Sequence, residues 1–233
     1  LQTLKSHNRT GLLAVRTANH SETCFIVKRS LGVESAAGLD GETICIPPGS
    51  TTELAVGEYF REKRMRFTPV IIEDDEQLRS AFIAGRCDAM ARDATGLAGF
   101  RMSQGDRAAD YILLPELIAL EPLGAFVRKG DGSWFDVVRW TLLALLAAEQ
   151  LEVTQTNVGT PREHTSPELR RLLGQEGDLG RGMGLDNRWA AAAIRAVGNY
   201  GEIWQRHVGP TGLARGLNSL WNAGSLHYAP PYR

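Results

Sequence analysis

The stretch "ETICIPPGSTTEL", residues 42–54, decides the fold because it joins a strand to a helix through a short turn. "ETICI" is apolar and rich in β-branched residues, as buried strands are. Two prolines and a glycine then end the strand, and small hydroxyl residues open a helical pattern. Such a turn directs backbone N–H groups and hydroxyls toward one point at the positive end of the helix. Gly49, Ser50, Thr51 and Thr52 are therefore candidates for holding an anion.

The same order of strand and helix repeats twice after this stretch. "RFTPVII" (66–72) leads into "DDEQLRSAFIAG" (74–85), and "CDAMA" (87–91) leads into "DATGLAGFRMSQ" (93–104). Strands and helices that alternate at these lengths predict a parallel α/β sheet. In such sheets ligands bind at the carboxyl ends of the strands, which is where the 49–52 turn lies.

Asp93 follows another strand of the same sheet, so it is expected at the same edge as the turn. A carboxylate there accepts an ammonium group, and anion donors beside it complete the complement of a zwitterionic α-amino acid. Arg92 is a further candidate, because its guanidinium either neutralises Asp93 or binds a ligand acid. The alternative is that Ser50, Thr51 and Asp93 only cap their helices, as such residues often do.

The composition excludes several classes of function. The chain has 233 residues and a formal net charge of −1, which argues against a nucleic-acid or membrane-surface binder. The apolar run "WTLLALLAA" (140–148) is too short to cross a membrane. No nucleophile–base pair and no metal-ligand spacing stands out, so we expect no enzyme, no catalytic residues, no cofactor and no metal. The start "LQTLKSHNRT" has no apolar signal region, and we expect a signal peptide to have been removed.

Two of the three cysteines suggest a structural bridge. Cys45 lies in one predicted strand and Cys87 at the start of another. If these strands are neighbours, the two cysteines form a disulfide in an oxidising compartment. The alternative is a pair of buried free thiols.

The second half of the chain has a helical pattern. Helices are predicted over 133–150 and 166–174, and one long helix over 184–209 is loosened at its glycines. A short helix over 214–224 precedes a proline-rich tail. The five tryptophans occur at helical spacings and are expected in the core.

Longer motifs carry a resemblance to a known family. "GSTTELAVGEYFREKRM", "AFIAGRCDAMARDATGLA" and "RGLNSLWNAGSLHYAPPYR" resemble the general L-amino-acid periplasmic binding proteins of ABC importers, from about Val27 to Arg233. The resemblance implies two α/β lobes joined by hinge strands that close on an amino acid. It also implies that the 49–52 turn binds the α-carboxylate and that Asp93 binds the α-ammonium.

One departure from the family is large. "TGLLAV" (10–15) and "TCFIVK" (23–28) look like strands between which the family places most of its first lobe, yet only the eight residues 16–23 separate Val15 from Cys24. We therefore expect residues 27–184 to form a complete parallel second lobe. Residues 1–26 and 185–233 are expected to form a remnant of the first lobe with C-terminal helices.

The expected function is that of a truncated, periplasmic amino-acid-binding homologue. Its ligand is an amino acid or a small peptide-like molecule, and its protein partners are the membrane subunits of an importer. A homodimer is expected, because apolar surface around the helix from 187 and Trp221 lacks its family cover. The alternative is a degenerate module for interaction or self-assembly that binds no small ligand. An enzyme on the same fold would need an acid–base pair, which the residues do not offer.

Overall fold

The chain forms two compact units. The computed structural model describes residues 11–160 and 166–231, so His7 and His164 lie outside the described part. The first unit contains His20–Pro122 and Thr211–Leu213. The described residues of the second unit are 11–19, 123–160, 166–210 and 214–231.

The division differs from the expected bounds of 27–184 for the α/β lobe. Residues 123–184 group with the helical unit, although they were assigned to the α/β lobe from the sequence. The reason is the long helix that begins at Gly132, whose apolar side packs on the later helices rather than on the sheet.

Within the described ranges the sheet has six strands. They are β1 (Leu12–Lys28), β2 (Thr43–Ile46), β3 (Thr68–Ile71), β4 (Ala89–Asp93), β5 (Tyr111–Leu113) and β6 (Ala119–Arg128). The order is β3-β2-β4-β1-β5, and β6 pairs with β1. The α/β fold class is confirmed.

The sheet is mixed, whereas the sequence predicted a parallel one. β2 is parallel to β3 and to β4, because helical crossovers connect these strands in chain order. β1 runs antiparallel to β4 and to β5. No helical crossover links β1 to these neighbours directly, so the parallel rule does not apply to it.

β1 is a single strand of 17 residues, although two separate strands were expected at 10–15 and 23–28. The polar residues between them stay extended because β6 pairs with β1 and supplies backbone partners. Gly124 of β6 lies so close to the Arg16 carbonyl that a Cβ atom would collide with it. The glycine therefore permits this close approach of the two strands.

The helices of the first unit follow the three parallel strands as predicted. They are α1 (Thr51–Glu62) after β2, α2 (Asp75–Ile83) after β3 and α3 (Ala94–Ser103) after β4. Asp74 caps α2 by accepting a hydrogen bond from the Gln77 N–H at 2.8 Å.

Side-chain alternation along the strands divides the core of the first unit into two layers. Cys24, Ile26 and Met90 face α2 and α3, where they meet aromatic residues such as Phe82 and Phe100. On the opposite face the strands pack against α1, and this layer contains Phe25, Val27, Ile44, Ala89, Ala91, Val56 and Phe60. The sheet is thus covered by helices on both faces.

A disulfide joins Cys45 and Cys87, with 5.7 Å between the Cα atoms. It links β2 to the residue that precedes β4 by two positions. The third cysteine, Cys24, is free and buried. Burial, and then the carboxylates of Glu22 and Asp93, raise the pKa of the Cys24 thiol to about 12, so it stays protonated at neutral pH.

The second unit contains residues 12–19 of β1, residues 123–128 of β6 and the helices that follow. The helices are α4 (Gly132–Gln150), α5 (Pro167–Leu172), α6 (Trp189–Val197) and α7 (Tyr200–His207). The single helix expected over 184–209 is broken, because Gly198 has φ 82° and Asn199 starts α7 with a capping box to Glu202. The helix expected over 214–224 consists of two 3₁₀ turns, Gly216–Asn218 and Trp221–Ala223.

The tryptophans are less buried than expected. Trp204 lies in the core of the second unit, but Trp134 and Trp221 are each 54% exposed. Trp134 stands in the first turn of α4 and Trp221 in a 3₁₀ turn, where a helical spacing does not decide burial. In the described part of the chain, no helix is long and apolar enough to span a membrane.

Candidate functional site

The sheet brings the 49–52 turn and Asp93 to one edge. β2 and β4 are parallel neighbours, with Cys45 opposite Met90 in the register. β2 ends at Ile46 and β4 ends at Asp93, so both carboxyl ends meet at the same edge of the sheet. Asp93 also shares a face with Ala89 and Ala91, which is the face that α1 covers. The turn and the carboxylate are therefore on one side of one edge.

The turn before α1 is held by the protein's own hydrogen bonds. Gly49 adopts φ 61°, a left-handed conformation that favours glycine. The Ser50 hydroxyl accepts a hydrogen bond from the Glu53 N–H at 3.1 Å and donates one to the Pro47 carbonyl at 2.8 Å. Capping is thus the role of the Ser50 side chain. The donors that remain for an anion are the first backbone N–H groups of α1 and the Thr51 hydroxyl.

Glu53 is a residue of this turn that the sequence reasoning missed. Its carboxylate Oε2 accepts a hydrogen bond from the Gly49 N–H at 2.6 Å. The signal was present in "STTE", the hydroxyl-x-x-acid pattern of a capping box. An internal carboxylate therefore occupies one donor of the turn that was expected to hold a ligand anion.

Asp93 does not act as a helix cap. It occupies the N-cap position of α3, but its side chain makes no capping hydrogen bond, so the capping alternative is wrong for this residue. Burial, and then the nearby carboxylate of Glu121, raise the pKa of Asp93 above its ordinary value, while Arg92 and Ser21 act in the opposite direction. A half-buried carboxylate at a sheet edge gains from a cation that neutralises it.

Thr23 stands opposite Asp93 in the antiparallel pairing of β1 with β4. Directly opposite residues lie on the same face of a sheet, with Cβ atoms about 5 Å apart. Thr23 is fully buried, and its hydroxyl has no hydrogen-bond partner within the described residues. It is an additional acceptor or donor beside Asp93. The sequence did not reveal it because the register between β1 and β4 is a long-range feature.

Arg92 points to the opposite face of β4 from Asp93. Successive side chains of a strand point to opposite faces, so Arg92 lies on the α2 side with Met90. There it forms an ion pair with Asp75 in the first turn of α2, and Asp75 is also paired with Arg79 at 2.7 Å. The structure therefore places Gly49–Thr52 and Asp93 at one edge of the sheet, and Arg92 on the other face of β4.

The described residues contain no group of three or more histidine, cysteine or acidic side chains arranged to hold a metal. The histidines with described positions are scattered along the chain. The edge is suited to binding charged groups.

A solved structure that is similar over nearly the whole chain shows which family the protein belongs to. An ABC transporter periplasmic binding protein from Brucella ovis, solved with glutathione bound, superposes with a TM-score of 0.93 at 40% sequence identity. The match covers 99% of this chain and 74% of that chain. The chain belongs to the periplasmic binding proteins of ABC transporters. No family model matches the sequence.

Curated relatives of this periplasmic binding protein carry names that refer to amino acids. The glutamate/glutamine/aspartate/asparagine-binding protein BztA of Rhodobacter capsulatus is 49% identical over 213 residues, which are 90% of this chain and 63% of the relative. The general L-amino acid-binding periplasmic protein AapJ of Rhizobium johnstonii is 44% identical and is matched over 62% of its length. The chain thus spans somewhat less than two thirds of these relatives, which are binding proteins rather than enzymes.

Proposed function

We propose that this chain is a periplasmic, non-enzymatic binding protein that holds the α-amino acid group of its ligand at the edge formed by Gly49–Thr52 and Asp93. The observation that carries the proposal is Asp93 itself. Its carboxylate is half-buried and makes no capping bond, although it stands at the start of a helix. A ligand ammonium would offset the cost of burying that charge.

The proposed contacts follow the chemistry of a zwitterion. The α-carboxylate accepts hydrogen bonds from the Thr51 hydroxyl and from backbone N–H groups at the positive end of α1. The α-ammonium donates to Asp93 and to the buried hydroxyl of Thr23, which stands opposite it. Charge-assisted bonds of this kind are about twice as strong as neutral ones.

The ligand class is an amino acid or a molecule that carries an amino-acid end. BztA is named for acidic amino acids and their amides, and the Brucella ovis protein was solved with glutathione. Glutathione has an α-amino acid group on its glutamyl residue, so one edge suits both kinds of ligand. We infer that the side chain, or the remaining peptide, extends away from the 49–52 turn.

We infer that the first lobe of this chain is reduced. The match to BztA covers 63% of that relative, and β1 runs without a break through the point where the family's first lobe was expected. A ligand at the proposed edge would then have one face enclosed by the second lobe and one face open. Open sites leave charge-assisted bonds in water, so we expect weak binding.

The proposed location and partners follow from the family. The Cys45–Cys87 disulfide supports an oxidising compartment such as the periplasm. The membrane subunits of an ABC importer are the proposed partner, because the chain belongs to the periplasmic binding proteins of ABC transporters.

Calorimetry with matched ligands tests the proposal. L-Glutamate and glutarate differ in the α-ammonium group, which is the group that Asp93 is proposed to bind. We expect L-glutamate and glutathione to bind to the wild-type chain and glutarate to bind at least tenfold more weakly. Equal binding of glutamate and glutarate would overturn the assignment of Asp93, and the absence of heat with every ligand would overturn the binding function.

Self-assembly is a second candidate function, favoured by an apolar segment near the end of the chain. Trp221, Leu226 and Tyr228 are between 43% and 54% exposed, and the Trp221 and Tyr228 rings contact edge to face at 6.1 Å. A second copy that buries this segment would form a homodimer. Light scattering tests this: the wild-type mass should be twice that of one chain, with or without amino acids.

Two tryptophan variants test by light scattering whether the segment around Trp221 forms the dimer contact. Trp221→Ala should lower the dimer fraction, while Trp134→Ala should not, although both side chains are 54% exposed. A wild-type monomer at high protein concentration would reject this candidate.

A further inference from the structure

A second cavity of about 460 Å³ lies in the first unit, away from the candidate ligand edge. It is lined by Lys28, Arg29, Ser30, Arg107, Asp110 and Tyr111. Lys28 is five residues beyond Thr23 along β1, which places it about 16 Å from the Asp93 end of the sheet. The two places are therefore distinct.

The cavity carries an excess of positive charge. Three of its lining residues are cations and one is an acid, so the lining carries a net charge of +2. Arg107 faces Asp110 at 3.6 Å, a distance that leaves the guanidinium only loosely paired. Lys28 and Arg29 have no acidic partner among the ion pairs of the described residues.

The cations are held in place by backbone carbonyls. The Lys28 ammonium donates to the Ile83 carbonyl at 2.8 Å, and the Arg29 Nε donates to the Ala109 carbonyl at 2.9 Å. Each of these bonds uses one N–H and leaves the others available, because lysine has three such donors and arginine five. The side chains are thus ordered before any ligand arrives, which lowers the entropy cost of binding.

Tyr111 supplies an independent sign that a ligand belongs here. It stands opposite Lys28 in the pairing of β1 with β5, so both side chains lie on the same face of the sheet. Tyr111 is only 2% exposed, and its hydroxyl has no hydrogen-bond partner in the described part of the chain. An unpaired buried hydroxyl is costly, so its presence beside a cationic cavity suggests that it serves a ligand oxygen.

We propose that this cavity binds a phosphate group, either as inorganic phosphate or as part of a small phosphate ester. A phosphate offers three or four oxygens to the ammonium, the two guanidinium groups and the tyrosine hydroxyl. A carboxylate has only two oxygens and a single charge, so it would leave part of this set unused. Arginine and lysine together are a frequent combination around phosphate.

Titration of the full chain with inorganic phosphate, followed by amide NMR, tests the proposal. At constant ionic strength, phosphate should cause saturable shifts at residues 28–30 and 107–111, and sodium chloride should not. The double variant Arg29→Ala/Arg107→Ala should lower phosphate affinity at least tenfold. Arg181→Ala is the matched control, since this arginine belongs to the second unit and is highly exposed. It should leave phosphate affinity unchanged.

Tyr111→Phe removes only the hydroxyl and should keep the fold, because the ring contacts with Phe82 and Phe100 remain. It should weaken phosphate binding several-fold. A parallel titration with glycerol phosphate identifies the source: tighter binding than inorganic phosphate indicates an ester, and equal binding indicates the free ion. Shifts that chloride reproduces, or that the double variant leaves intact, would overturn the proposal. Asp93→Asn should not affect this site, so the outcome is independent of the proposed amino-acid binding.

Discussion

The Gly49 N–H donates a hydrogen bond to the carboxylate of Glu53, with 2.6 Å between the nitrogen and Oε2. The bond lies in the turn that precedes α1, where we propose that the ligand α-carboxylate binds. A ligand anion must therefore approach a carboxylate of the chain itself. Glu53 stabilises the turn and would compete with the ligand for it.

Glu53→Gln tests this competition. Like charges near a protein surface repel by about 1 kcal/mol, so removing the charge should raise the affinity for L-glutamate roughly fivefold. Calorimetry measures the change. Glu58→Gln is the control, because it removes the same charge from an exposed position of the same helix. Weaker binding by Glu53→Gln would instead mean that Glu53 orders the turn for the ligand.

Asp93→Asn should raise the thermal stability of the protein, although it removes the proposed ligand contact. The pKa of Asp93 is raised in the folded chain, so the folded state holds this proton more tightly than the unfolded state does. The cost of its charge is absent below the ordinary pKa of 3.8 and grows as the pH rises through the raised value. The asparagine variant should therefore melt at a higher temperature than wild type at pH 7.

Melting temperatures of both proteins measured over a range of pH provide the control. The difference in melting temperature between Asp93→Asn and wild type should shrink toward zero as the pH falls below 3.8. A difference that does not depend on pH would show that burial of the charge is not its cause.

Loss of the Cys45–Cys87 bridge should destabilise the first unit. The bridge closes a loop with a sequence separation of 42, for which chain entropy gives about 4 kcal/mol at 25 °C. Cys45→Ser/Cys87→Ser should therefore lower the free energy of unfolding by about 2–4 kcal/mol in denaturant titrations. A reductant should lower the stability of wild type but not that of the double variant. Equal sensitivity of the two proteins to reductant would contradict this role.

The ion pair between Arg215 and Glu149 should contribute to the stability of the second unit. Arg215 contacts both carboxylate oxygens of Glu149, the second at 2.7 Å, and it also donates to the Asn218 carbonyl. Its guanidinium lies over the Tyr200 ring at 5.2 Å. Lysine has no planar guanidinium, so it cannot bind both carboxylate oxygens in this way. Hydrogen bonds between charged groups contribute about 1.5–3 kcal/mol to the free energy of unfolding.

Arg215→Lys should therefore reduce the free energy of unfolding by about 2 kcal/mol. Arg181→Lys changes a highly exposed pair and should leave stability within about 0.5 kcal/mol of wild type. Thermal unfolding followed by circular dichroism measures both. Equal effects of the two substitutions would contradict the role assigned to the Glu149 contact.

Much of the first unit could be predicted from local patterns. The strand–helix repeats located α1, α2 and α3 to within a few residues, because apolar periodicity and capping residues are local signals. The continuous β1 strand was missed because its middle residues are polar, and the pairing that holds them extended comes from β6, far along the chain. For residues 184–209 the sequence predicted one helix loosened at its glycines, not the break at Gly198 that separates α6 from α7.

The candidate site could likewise be predicted only where it depends on local sequence. The turn at 49–52 and Asp93 follow from their positions at strand ends, which the sequence gives directly. Thr23 joins Asp93 only through the register of two antiparallel strands, and the separation of Arg92 depends on which face of β4 it occupies. Register and facing depend on the assembled sheet, so no local pattern determines them.

The most direct test is an NMR titration of the wild-type chain with L-glutamate, following the backbone amides of Gly49, Thr23 and Asp93. If one zwitterion is held between the start of α1 and the Asp93 carboxylate, all three signals should shift along a single saturation curve, and Asp93→Asn should abolish that saturation. Signals that stay fixed at high glutamate, or that shift equally in the asparagine variant, would contradict amino-acid binding at this edge.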